Sequence, residues 1–219
     1  LAGAGVGTDG NSVNFAVREN NYLGKGIQLD SNLTLSTDTI KGLFSVRNPN
    51  FNNTDKSVYA RAQALETDRL SESGYKSNKA GFAFGTSFEY QDDLFFGLGQ
   101  SSFYEKIETN STASTRQKQQ EGNYWDTFVT LDLDYDKRNQ KFKTTDGYRS
   151  YYSVDLPIIS ENNSLTNLYN ISYYNALYDQ NVSKISLYLK ATTSLTNDDV
   201  KLSERLYLPS NKLRGFVKG

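Results

Sequence analysis

Apolar residues recur at every second position for about ten residues at a time, along almost the whole chain. Val13, Phe15 and Val17 alternate with Asn14 and Ala16. Ile27, Leu29, Leu33 and Leu35 share one parity against Gln28, Asp30, Asn32 and Thr34. The run 127–136 sets Val129, Leu131, Leu133 and Tyr135 against Thr130, Asp132, Asp134 and Asp136. Farther on, Ile185, Leu187, Leu189 and Ala191 oppose Lys184, Ser186, Lys190 and Thr192. Successive strand side chains point to opposite faces, so this period specifies strands with one apolar and one polar face. Eleven such strands are expected, near 2–8, 12–20, 25–36, 39–47, 56–68, 80–91, 94–106, 124–137, 147–158, 166–178 and 182–195. No segment has helical periodicity.

The length of these strands separates two all-β architectures. Strands of soluble proteins average about 5–6 residues, whereas a tilted strand needs about 9–11 to cross a bilayer. The polar face also carries charges in mid-strand, at Asp132, Asp134, Arg149, Asp155, Lys184 and Lys190. A water-filled lumen accepts these, while a β-sandwich would have to keep that whole face in solvent. The expected fold is therefore a transmembrane antiparallel β-barrel. Mean hydropathy is −0.64, which is compatible with this fold because lipid meets only alternate side chains. With the first strand running outward, inner turns fall near 21–26, 48–55, 91–93, 138–146 and 179–181. Outer loops then fall near 9–11, 37–38, 69–79, 107–123, 159–165 and 196 onward. Tyr22, Phe51, Tyr90, Phe103, Tyr104, Tyr124, Trp125 and Tyr178 lie near strand ends, as an interfacial aromatic girdle would.

Composition removes several function classes. The 219 residues contain no His and no Cys, which rules out a Ser-His-Asp triad, thiol chemistry and the usual zinc sites. Twenty-four basic and 25 acidic residues balance to −1, so nucleic acid is not an expected partner. The run 132–136 has the spacing of a calcium loop, but Lys137 and Lys143 stand where an EF-hand needs Gly and Glu. No metal or other cofactor is expected, and nothing resembles an acid–base pair. Gly5, Gly7 and Gly10 fit a dinucleotide fingerprint, but a strand follows where a phosphate-binding helix is needed. Gly3, Gly5 and Gly7 instead weaken the first strand, since glycine adds no packing and loses more entropy.

Five segments, in order, resemble the BamA family of outer-membrane insertases. The first strand, Ala2, Gly3, Ala4, Gly5, Val6, Gly7 and Thr8, resembles the family's Gly-rich opening strand. Asn21, Tyr22, Leu23, Gly24, Lys25 and Gly26 resemble its turn between strands two and three. Asn48, Pro49, Asn50 and Phe51 resemble the Asn-Pro-aromatic-Phe turn after strand four. Phe142, Lys143, Thr144, Thr145, Asp146 and Gly147 resemble the Phe-Pro-Thr-x-Gly turn, with Lys143 where proline is usual. Leu213, Arg214, Gly215 and Phe216 resemble the Val-Arg-Gly-Phe signature of the sixth outer loop.

The resemblance implies residues 1–219 as the N-terminal part of a 16-stranded barrel, about 11 strands and the start of loop six. Periplasmic POTRA domains and the last strands would lie elsewhere. It also implies a non-enzymatic role in the bacterial outer membrane. Nascent β-barrel clients would pair with the edge of the first strand at a lateral seam, within the lipid bilayer. Accessory assembly lipoproteins would bind through the POTRA domains. Arg214 would reach into the lumen, Gly215 would permit a tight backbone, and Phe216 would pack on the wall. The segment 207–212 lacks the Gly-Gly usual there, which leaves open a TamA-like relative or a two-partner secretion pore of the same superfamily.

Overall fold

In the computed structural model the described residues are 2–7, 10–36, 39–71, 74–161, 163–178, 181–197 and 199–206. Within β1 and β2 the side chains of residues 5–7, 10 and 11 are not described. Thr8 and the loop-six residues Leu213, Arg214, Gly215 and Phe216 lie outside the described residues.

The alternating segments form eleven strands: β1 (Ala2–Gly7), β2 (Gly10–Tyr22), β3 (Ile27–Ser36), β4 (Thr39–Asn48), β5 (Ser57–Arg69), β6 (Tyr75–Gln91), β7 (Leu94–Thr109), β8 (Gly122–Asp136), β9 (Gly147–Ile159), β10 (Ser164–Tyr178) and β11 (Asn181–Ser194). They make one sheet in sequence order, every pairing antiparallel. Two boundaries differ noticeably from the sequence reading. β6 begins at Tyr75 rather than near 80, and β7 runs to Thr109. The polar stretch 76–79 shows no apolar alternation, yet it pairs with both β5 and β7. A one-turn helix, α1 (Thr115–Lys118), also interrupts the loop after β7. Ser114 accepts from the Gln117 amide while the Gln117 side chain accepts from the Ser114 amide, a reciprocal capping box that has no apolar periodicity to announce it.

The two sheet faces differ as the alternation requires. Phe15, Val17, Leu33, Phe44, Phe82, Phe84, Leu98, Leu133, Leu156, Ile185, Leu187 and Leu189 project outward and are exposed. An outward apolar belt of this kind is what lipid contact demands. The inner face is polar and surrounds a cavity of about 1040 Å³, lined from β2 round to β11. One inner row crosses eight strands in register: Arg47, Tyr59, Gly85, Gly99, Thr130, Asp155, Thr166 and Thr192. The Tyr59 ring lies across Gly85 and Gly99, and a Cβ on either glycine would come within 2.6–2.7 Å of that side chain.

Loops gather at two ends. At one end Asp136 donates its amide to the Asp93 carbonyl at 2.9 Å, and Lys137 pairs with Asp93 at 2.6 Å. At the other end Asn110 donates its amide to the Gly74 carbonyl, and Leu202 donates its amide to Gln120 Oε1. The apolar cluster of Tyr75, Ile107, Tyr124 and Leu202 sits at this second end.

Candidate functional site: a lateral edge and a closed outer mouth

β1 is the shortest strand and, among the described residues, pairs only with β2. Its six rungs compare with ten to seventeen residues in the other described strands. Ala2 and Ala4 register with the outward residues Phe15 and Val13, so Gly3 and Gly5 fall on the inner parity with Asn14 and Ser12. The inner face of this strand therefore offers no side chain to hold it against the lumen contents. The outer edge presents backbone donors and acceptors that a further strand can take up. In a membrane such groups must find partners, because lipid supplies none.

The turn residues singled out in the sequence each have a structural task. Asn21 accepts from the Gly26 amide through its side chain at 2.7 Å and from Gly24 through its carbonyl at 3.0 Å. Leu23, Gly24 and Gly26 all have φ between 55° and 69°, the left-handed region. Asn48 accepts from the Asn50 amide at 3.1 Å, Pro49 lies between them, and the Phe51 amide closes onto the Lys56 carbonyl at 2.8 Å. Asp146 and Thr145 donate their amides to Asn139 Oδ1, a residue that the sequence reading did not single out. Gly147 has φ +96°, and a Cβ there would stand 2.1 Å from the Lys137 carbonyl oxygen. Lys143, at the family's proline position, has φ +53°. Proline is locked near −65°, so this turn takes a backbone that the proline version cannot.

The carboxylates of β8 face the lumen. Asp132 accepts from Tyr151 at 2.7 Å, Asp134 takes two bonds from Arg149 at 2.8 and 2.6 Å, and Asp136 takes two from Arg138 at 2.7 Å each. These contacts match a charged inner wall rather than a cation loop.

The most buried charges lie at the second of these ends, the one that the sequence reading places outside as the outer mouth. After β11 the segment 199–206 turns inward and places Lys201 at 0% exposure against Glu105 of β7 and Asp126 of β8, both also at 0%. The Lys201 ammonium donates to Asp126, lies 3.1 Å from Glu105 and 3.6 Å from Glu204, and stands 5.0 Å over the Tyr124 ring. Ser77 and Ser203 donate to Glu105 at 2.6 and 2.8 Å, Ser160 donates to Asp126 at 2.6 Å, and Ser164 donates to Glu204. Burial pushes this lysine toward its neutral form. The opposing pull of Glu105, Asp126 and Glu204 outweighs burial, and its pKa lies above the ordinary lysine value. Removing one member of such a buried pair costs about 3–5 kcal/mol. Leu202 beside it is 2% exposed, and Tyr124 donates to the Gln120 carbonyl at 2.7 Å. Ser203, Glu204 and Arg205 thereby line the lumen cavity. The sequence reading did not find this cluster. Its one available signal was the inward parity of Glu105 and Asp126 near the outer strand ends.

No curated protein sequence matches this chain. Among solved structures, BamA from Haemophilus ducreyi lacking POTRA domains 1–3 matches with a TM-score of 0.73 at 20% identity. The match covers 93% of this chain and 42% of the solved one, so the chain spans less than half the length of that relative. At this identity the likeness establishes the all-β barrel fold. The sequence pattern described as the Omp85 superfamily domain matches residues 21–219. That span takes in the strands from β3 onward, most of the lumen wall and the docked segment, and by it the chain belongs to the Omp85 superfamily.

Proposed function

We propose that this chain is the N-terminal part of the barrel of an outer-membrane insertase, which folds β-barrel proteins into the bacterial outer membrane without covalent chemistry. Nascent barrel proteins pair with the free edge of β1, and the bilayer receives them there. Accessory lipoproteins act through POTRA domains outside this chain. The observation that carries the reading is the glycine of β1: Gly3, Gly5 and Gly7 fall on its inner parity in the ladder with β2, so no inner side chain ties this strand to the wall. Edge pairing supplies main-chain hydrogen bonds to any incoming strand regardless of its sequence, which suits a catalyst with many clients. Omp85 membership supports this reading.

A secretion pore of the same superfamily is the second reading, and the polar cavity of about 1040 Å³ favours it. The docked segment 199–206 counts against it, because its side chains occupy the outer end of that cavity.

The test uses the intact protein that carries this chain, in its native membrane. A photo-crosslinking side chain is placed at Ala2 or Ala4, and a control at the outward, mid-wall Phe44. Adducts with newly made barrel proteins at β1 and none at Phe44 are expected. Equal or absent adducts at both places, with a single exported protein crosslinking from lumen positions, would give the secretion pore instead.

A further inference from the structure

Glu105 has a second cation within reach. Its direct cross-strand neighbour on β6 is Lys79, which lines the lumen. Directly paired side chains start about 4.5–5.5 Å apart at Cβ, a gap that a lysine spans easily. Yet Lys79 has no carboxylate within 4.0 Å among the described residues, and its ammonium sits 4.6 Å over the Phe103 ring. Its other cross-strand neighbour is Leu65 on β5, which offers no charge. Glu105 is meanwhile engaged by Lys201, Ser77 and Ser203. A carboxylate has about four acceptor sites, and the docked segment supplies two of the three partners that occupy them here.

We infer that the segment 199–206 docks reversibly, and that Lys79 is the replacement cation that takes Glu105 when Lys201 leaves. If the segment departed from a wall with no substitute, it would leave Glu105 and Asp126 facing each other with no cation, at a cost set by desolvated charge. With Lys79 across the ladder, Glu105 is neutralised in both states, and opening the outer mouth leaves only Asp126, which keeps the Ser160 hydroxyl, without its cation. Lys79 holds its place over an aromatic face while it waits, a weaker site that is easily given up. Two of the three docking carboxylates, Glu105 and Asp126, stay with the wall; Glu204 departs with the segment. The device rests on the fold and on these contacts and does not depend on the assembly reading.

The experiment uses the intact protein in detergent micelles, in a cysteine-free background with Leu202→Cys as reporter, since Leu202 is 2% exposed when docked. The rate of maleimide labelling reads the population of the open mouth where reclosing outpaces labelling. Lys201→Met is expected to speed labelling strongly, and Lys201→Arg to restore much of the protection. Lys79→Gln is expected to slow labelling roughly fivefold, the factor carried by about 1 kcal/mol in a part-exposed ion pair. Misfolding cannot imitate that result, because a damaged barrel labels faster. Unchanged or faster labelling in Lys79→Gln would overturn the exchange, and unchanged labelling in Lys201→Met would overturn ionic docking altogether.

Discussion

Three glycine-to-alanine changes test whether the turn geometry is read correctly, because they separate backbone strain from collision. At Gly3 an added Cβ meets nothing within 4 Å, and φ is ordinary. The change should be neutral or stabilise by up to about 1 kcal/mol through the unfolded chain. At Gly24 the added carbon also meets nothing, but φ is +69°, so alanine incurs left-handed strain of about 1 kcal/mol. At Gly147 the same kind of strain is joined by an approach of 2.1 Å to the Lys137 carbonyl oxygen and 3.0 Å to the Arg138 Cα. Both obstacles are backbone. Relief requires a shift of nearly an ångström, which strains or breaks the Lys137 amide bond to the Tyr148 carbonyl, now 2.9 Å. Losing that bond costs about 1 kcal/mol and the overpacking about 1–3, giving a total of roughly 3 kcal/mol or more. Urea unfolding of the intact protein in micelles, followed by Trp125 fluorescence, reads the midpoint shift at constant slope. Equal losses at positions 24 and 147, or a loss beyond about 1 kcal/mol at position 3, would refute the reasoning.

Lys143→Pro should destabilise the same turn, since φ +53° is closed to proline, and Lys143→Gly should gain up to about 1 kcal/mol; midpoints of the two variants move apart if this holds. The docked segment should respond to alkali. A lysine whose folded pKa is raised contributes fully below its unfolded value of about 10.4 and loses that contribution as pH climbs through the folded value. Protease protection of 199–206 should thus stay level from neutral pH to about 10 and fall only above it; a loss near pH 8 would contradict the assignment. Arg149 and Asp134 are partly exposed, at 43% and 24%, so Arg149→Gln and Asp134→Asn should each cost no more than about 1 kcal/mol, and the double variant no more than either single one.

The strands were legible because each has to show lipid on one side, and that demand is written at every second residue. Val129, Leu131 and Leu133 face out and Thr130, Asp132 and Asp134 face in, as their spacing requires. The start of β6 was illegible because its inner face, at Tyr75 and Ser77, is buried beside Leu202 and Glu105, a contact 199–206 supplies from far along the chain, so residues 76–79 show no apolar alternation. The turns carried by Asn21 and Asn48 were legible through their residue types, whereas Asn139 was not, since a lone Asn in a polar turn looks like any other. The outer mouth was the least legible part. Lys201 reaches Asp126 across 75 positions and Ser203 reaches Glu105 across 98, and no local pattern links residues that only the curvature of the sheet brings together.

The Tyr59 ring lying over Gly85 and Gly99 has a consequence for inheritance. The three positions occupy one volume on three neighbouring strands. A larger residue at 99 is tolerated only after the ring has shrunk, and a smaller residue at 59 leaves a notch that position 99 can then fill, whereas at 85 the Leu98 carbonyl oxygen still stands 2.6 Å from an added carbon. Descent should therefore hold Gly85 fixed and pass 59 and 99 on as a pair, with single changes rare and compensated ones recurring, even though the two stand 40 residues apart in the chain.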